Sequence, residues 1–212
     1  MSLTLHFHPL SSFCWKALIA LYETSTPFTF RNIEDADNHA ALVGNWPVGK
    51  FPLLVEDGVP IMESSTIIEH VAPALIPADA KDALETRMLD RIFDNHVMSP
   101  VQAIVAEHLP FITKTPDENR IGRARSALDT IYPWLDARLA GRRWASGDDF
   151  TLADCSGAPS LFYADWVQPI PDALASLKAY RARVLARPSV ARAVDEARPY
   201  RKLFPLGAPD RD

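Results

Sequence analysis

The segment Asn45-Trp46-Pro47-Val48-Gly49-Lys50-Phe51-Pro52 runs directly into an apolar stretch, Leu53-Leu54-Val55, that reads as a buried strand. Proline cannot donate to a β-ladder, so Pro52 belongs at a turn or at the first residue of that strand. A cis Phe51–Pro52 bond turns the chain sharply and leaves the N–H and C=O of Phe51 facing outward. An extended peptide can pair with those two groups as an added strand. A second short strand, residues 59–62, follows the hairpin turn Glu56-Asp57-Gly58. It ends at Glu63-Ser64-Ser65, where Ser64 or Ser65 reads as the N-cap of a helix whose first N–H groups suit a carboxylate. The two halves predict one edge that takes a small, extended peptide.

The flanking sequence places this edge in a mixed domain. Residues 3–7 and 28–32 read as strands, with a helix over 13–23 between them and a short helical or irregular segment over 36–43. With the hairpin of strands 51–55 and 59–62 and a helix over 64–71, the order is βαβ followed by αββα, the layout of a thioredoxin-like α/β domain. Residues 72–82, with Pro73 and Pro77, read as a linker. The expected domains are therefore 1–76 and an all-α helical domain over 83–212. In the second domain, Leu84, Met88, Leu89, Ile92, Phe93, Val97, Val101, Ile104 and Val105 predict one long helix over 83–108, bent at Pro100. Further helices are expected over 118–139, 152–166, 172–186 and 189–197. Thr151-Leu152-Ala153-Asp154 fits a capping box with Asp in the acidic place, and Pro159 predicts a bend in the helix it opens.

Bulk properties exclude several function classes. A 212-residue chain that is 48% hydrophobic buries a substantial core. A net charge of −5 gives no footprint for nucleic acid or an anionic membrane. No apolar run has the length of a membrane span, and no signal-peptide pattern is present. The two cysteines, Cys14 and Cys155, lie far apart and suggest a reducing, cytoplasmic setting rather than a disulfide framework. His6 and His8 have no third ligand nearby, so no metal site is expected.

Four segments taken together resemble the glutathione S-transferases, in the order that family carries them. Pro9-Leu10-Ser11-Ser12-Phe13-Cys14-Trp15-Lys16 is similar to the family's catalytic loop, and Gly49-Lys50-Phe51-Pro52 to its Gly-Lys-Val-Pro turn. Glu63-Ser64 matches its γ-glutamyl site, and Gly147–Asp154 its helix-capping segment. The likeness is to bacterial, serine-type, theta/zeta-like members. It implies glutathione as cosubstrate, a small hydrophobic electrophile as second substrate, and a two-fold homodimer. By position it points to Ser11 as the group that stabilises the thiolate, with Ser12 as runner-up. A thiol titrates near ~8.5, and each unit of lowering requires about 1.4 kcal/mol. A hydrogen bond to the charged sulfur and a helix N-terminus together supply about 2–3 kcal/mol. The plainer reading of Ser11-Ser12 is a helix cap alone.

The resemblance further implies that Ser64 holds the γ-glutamyl carboxylate and that Glu63 faces the ammonium. Phe51 and Pro52 form the backbone edge, and Lys50 pairs the glycyl carboxylate with His39 as a weaker partner. Leu10, Met98, Tyr163 and Trp166 are the candidate walls of the electrophile pocket. Ser11-Ser12-Phe13-Cys14 occupies the place of a Cys-x-x-Cys motif, but without its first cysteine dithiol exchange is impossible and Cys14 reads as a packed small hydrophobe. Alternatives to conjugation are glutathione-dependent isomerisation, as in maleylacetoacetate isomerases, reductive cleavage of ethers or halides, and a non-enzymatic starvation-type protein. Phe13 departs from the Ser-Ser-Cys loop of the isomerases.

Overall fold

A computed structural model describes residues 2–212. Strand β1 (Leu3–Phe7) leads into helix α1 (Ser12–Glu23), β2 (Thr29–Asn32), α2 (Ala36–Asn45), the hairpin β3 (Leu53–Glu56) and β4 (Val59–Ile61), and α3 (Ser64–Val71). The sheet order is β2-β1-β3-β4. β1 runs parallel to β2, with Leu5 opposite Phe30, and antiparallel to β3, with Leu5 opposite Leu54. This is the thioredoxin-like layout, followed by an all-helical domain: α4 (Ala80–Ile92), α5 (Ser99–Glu107), α6 (Glu118–Leu139), α7 (Leu152–Val167), α8 (Ala175–Leu185) and α9 (Pro188–Ala197). No helix among the described residues is long and apolar enough to cross a membrane.

Helix α1 is the hinge of the architecture. Every residue from Cys14 to Leu21 is buried, which fits a helix packed on all sides rather than on one stripe. It contacts α3 of its own domain as well as α7 and α9 of the other. Helix α7 is buried just as completely from Leu152 to Ala164 and forms the centre of the helical domain. At its start Asp154 accepts hydrogen bonds from the N–H of Thr151 and of Ala145 and from the hydroxyl of Tyr180. The Asp154 half of the capping box thus also ties α7 to α8.

Three expectations are corrected. The long helix expected over 83–108 is two helices joined by a π-helical turn, Phe93–Met98. Pro100 has no N–H to give to the carbonyl of His96, and its ring crowds that carbonyl, so the backbone widens in the turn before the proline. The cap expected at Ser64 or Ser65 falls instead at Glu63, with Ser64 as the first helical residue and no side chain capping α3. Helix α8 begins at Ala175, three residues later than expected, because the preceding residues form a turn in which Leu174 N–H bonds Pro171 C=O.

Candidate functional site

Two clefts adjoin where the domains meet, and Phe51 lines both. The polar cleft, about 300 Å³, is bounded by Lys50, Phe51, Pro52, Glu63 and Ser64 from the first domain and by Arg91, Asp94 and Asn95 from the second. The apolar cleft, about 510 Å³, is bounded by Leu10, Ser11, Ser12 and Phe51 on one side and by Met98, Val101, Val105, Tyr163 and Phe204 on the other.

In the polar cleft the Phe51–Pro52 bond is cis. Among the described residues, neither the N–H nor the C=O of Phe51 has a hydrogen-bond partner, so both remain open to an added peptide. Lys50 is exposed and, among the described residues, makes no ion pair. Glu63 sits at φ +68°, a left-handed conformation unfavourable for a residue with a side chain; such strain concentrates at ligand clamps. It presents Ser64, which is buried, at the first turn of α3.

Below this cleft lies an ion network that spans both domains. Lys16 of α1 is almost wholly buried, and its Nζ donates to Asp90 Oδ1 at 2.8 Å, to Asp94 Oδ2 at 2.7 Å and to Ser65 Oγ at 3.1 Å. Ser65 Oγ in turn donates to Asp90 Oδ2 at 2.8 Å. Ser156 of α7 donates to Asp90, and the half-exposed Arg91 pairs with both aspartates. Burial opposes the Asp90 carboxylate, but the Lys16 charge and the hydrogen bonds from Lys16, Ser156 and Arg91 outweigh it and hold its pKa below the usual range. At Asp94, burial wins over Lys16 and the pKa is raised.

At the mouth of the apolar cleft, Ser11 is the N-cap of α1 and its Oγ accepts the N–H of Cys14 at 3.3 Å. Capping uses the oxygen's lone pair and leaves the O–H free to donate, so capping and thiolate stabilisation are compatible roles for one hydroxyl. Ser12 is buried as the first residue of α1. Burial pushes the Cys14 thiol up to about 12, although hydrogen bonds with Ser11 and His8 pull the other way; it is not an active thiol.

The structure brings together Leu10, Ser11, Ser12, Lys50, Phe51, Pro52, Glu63, Ser64, Met98 and Tyr163 along the two clefts. It does not bring His39 or Trp166 to either. His39 lies on the exposed face of α2. Trp166 is one turn beyond Tyr163 and packs between Phe162, at 4.6 Å, and Phe204, at 5.0 Å between ring centroids. Sequence reasoning missed Lys16, Asp90, Arg91 and Asp94. The available signal was a lone lysine in the apolar run Phe13-Cys14-Trp15-Lys16-Ala17-Leu18, which a buried helix tolerates only with carboxylate partners.

A thioredoxin-like domain joined to a helical domain, with a polar and an apolar cleft meeting at one turn, defines a class that comparison with known proteins narrows. Residues 5–74 match the glutathione S-transferase N-terminal domain and residues 102–183 the glutathione S-transferase C-terminal domain. The chain belongs to the glutathione S-transferase family. It is 24% identical to glutathione S-transferase PARB of Nicotiana tabacum, over 89% of this chain and 95% of that one. Among solved structures, a glutathione S-transferase from Rhodospirillum rubrum is 27% identical with a TM-score of 0.75, covering 90% of this chain and 91% of that one. Another, from Methylobacillus flagellatus and determined with glutathione bound, is 23% identical with a TM-score of 0.77, covering 91% and 98%. Plant enzymes feature among the relatives, which do not single out the theta/zeta-like subclass.

Proposed function

We propose that the protein is a serine-type glutathione transferase that joins the glutathione thiolate to a small, apolar electrophile. The observation that carries this reading is the meeting of the two clefts at Phe51, with Ser11 at the mouth of the apolar one. Glutathione lies in the polar cleft. Its cysteinyl backbone pairs with the unpartnered N–H and C=O of Phe51. Its γ-glutamyl carboxylate meets Ser64 and the uncapped start of α3, its ammonium faces Glu63 and Asp94, and its glycyl carboxylate meets Lys50. The sulfur then points toward Ser11, whose free O–H donates to the thiolate. Thiolate attack on carbon follows in the apolar cleft, where the displaced water strengthens the hydrogen bond to sulfur.

The polar cleft offers both cations and carboxylates, which favours a zwitterionic peptide over a plain anion. Calorimetry with glutathione, followed by a panel of electrophiles, tests the reading. Micromolar to millimolar binding and saturable thioether formation are expected, and absence of glutathione binding refutes it. The reading includes a two-fold homodimer in which the N-terminal domain of one subunit packs on the helical domain of the other. Leu84 and Met88, exposed one turn apart on α4, and Val59 on the edge strand β4 are apolar surface suited to such a contact. A monomer mass throughout the micromolar range in sedimentation counts against it.

A further inference from the structure

We propose that the concave surface between the end of α6 and the start of α8 is a second binding site, which takes a small phosphorylated molecule on Arg142, Arg143 and Arg183. The site stands apart from the transferase reading. Its cleft, about 570 Å³, is lined by those three arginines together with Leu139, Ser176 and Ala179. It shares no lining residue with either interdomain cleft.

Three guanidinium groups around one cleft repel one another, and a bound anion relieves that repulsion. The nearby carboxylates are committed elsewhere. Glu85 of α4 accepts from both Arg138 and Arg142. Burial opposes its carboxylate, but those two arginines outweigh burial and keep it ionised. Asp136 of α6 accepts the N–H of Leu177 at 2.8 Å, inside the first turn of α8. Among the described residues, no carboxylate pairs with Arg143 or Arg183. In a chain of net charge −5 this is a local reversal of sign.

Two of the three arginines are held from behind. Arg183 Nη1 donates to the carbonyl of Arg143 at 2.8 Å and to that of Arg142 at 3.4 Å. Arg142 Nη1 donates to the carbonyl of Ala145 at 3.1 Å as well as to Glu85. A guanidinium carries five N–H donors in a planar fork, so each keeps donors to spare after these contacts. Fixing the forks beforehand lowers the ordering cost of binding. Arg143 is exposed and, among the described residues, has no partner. Ser176, in the first turn of α8, adds a hydroxyl that is also without one. A carboxylate fills a single fork, whereas the tetrahedral oxygens of a phosphate reach more than one. The cleft leaves room beyond a bare phosphate, and the rest of the ligand lies along Leu139 and Ala179.

Calorimetry with inorganic phosphate and with phenyl phosphate, at constant ionic strength in chloride, tests the proposal. Phenyl phosphate should bind saturably with a Kd of about 1 mM or below, severalfold tighter than inorganic phosphate. Arg143→Gln should weaken it about tenfold while leaving the ligand-free Tm unchanged, because Arg143 has no protein partner. Arg125→Gln, at an exposed position on α6, is the control and should change nothing. Unsaturable binding, or an equal loss in both variants, means an adventitious ion only and overturns the proposal. If Arg143→Gln does not fold, the Nε–H resonances of the wild type decide: phenyl phosphate should shift those of Arg143 and Arg183 and not that of Arg125, and a uniform shift overturns the site. Glutathione should not displace phenyl phosphate. Competition between them would put the anion in the polar cleft and overturn the proposal, whereas a failure of glutathione to bind at all would refute the transferase reading and leave this site standing.

Discussion

Lys16→Met removes the one cation at the centre of the interdomain network while keeping a side chain of similar length. The lysine satisfies two buried carboxylates at 2.7–2.8 Å and one hydroxyl at 3.1 Å. Breaking a buried pair by removing one partner costs about 3–5 kcal/mol, because the other charge is left uncompensated. Arg91 still reaches both aspartates from the solvent side, which places the loss at the lower end, about 3 kcal/mol. For a chain of this length that corresponds to a Tm lower by roughly 6–12 °C. The pH dependence carries its own signature. In the wild type the folded Asp90 pKa is depressed, so its contribution is present above the unfolded carboxylate pKa and is lost as pH falls through the folded value. Asp94, whose folded pKa is raised, works in the opposite sense: it opposes folding above that raised value and is relieved as pH falls through it. Without Lys16 both carboxylates move upward, and protonation on acidification relieves them. The deficit of the variant is therefore largest near neutrality and shrinks toward about pH 5. Urea unfolding followed by tryptophan fluorescence and circular dichroism at both pH values measures it. A deficit below about 1 kcal/mol at neutral pH, or one that grows on acidification, refutes the reasoning.

Ser11→Ala should raise the thiol pKa of bound glutathione by about one unit or more, with Ser12→Ala and Cys14→Ala doing less; thiolate absorbance against pH measures all three. It also removes the cap of α1, which lowers stability by about 1 kcal/mol in urea titration. Cys14 and Cys155 are both buried, so a thiol reagent should label neither until the chain opens, and the labelling rate should rise with denaturant. Gly157→Ala brings a Cβ to 2.6 Å from the hydroxyl of Tyr180, which Asp154 holds in place, and to 3.1 Å from the ring of Phe93. A loss of about 1–3 kcal/mol is expected from the midpoint of unfolding, and a neutral substitution would show that Tyr180 moves freely.

Local signals carried most of the first domain and part of the second. The strand Leu3–Phe7 and the helices Ser64–Val71 and Glu118–Leu139 are legible because periodicity and stop residues agree there. The cis turn at Phe51–Pro52 is legible because a proline directly before a buried strand fixes the backbone at a single position. Trp166 stands beside Tyr163 in sequence, which says nothing about which face of a helix a side chain occupies. His39 is expected only as a weaker partner of Lys50, and α2 carries it on an exposed face. The network at Lys16 was invisible because its partners lie 74 and 78 residues away, and a charged residue in a helix ordinarily faces solvent. The π-helical turn was missed because the apolar spacing through Phe93 and Val97 is the same as that of an unbroken helix.

That turn sets the rotational phase of everything after it. Six consecutive residues are wound more loosely than the α-helices on either side, so α5 starts out of step with the spiral that α4 would have continued. Within this single stretch, Asp94 and Asn95 face the polar cleft, while Met98 and then Val101 face the apolar one. One rod of helix thereby serves two compartments on different sides of its axis. Were the same six residues wound as ordinary α-helix, everything after them would be turned further by about 100°, one residue's share of an α turn. Met98 and Val101 would then leave the apolar wall while Asp94 stayed in place. The looser winding of this segment, rather than the identity of any one exposed position within it, holds both walls on one rod.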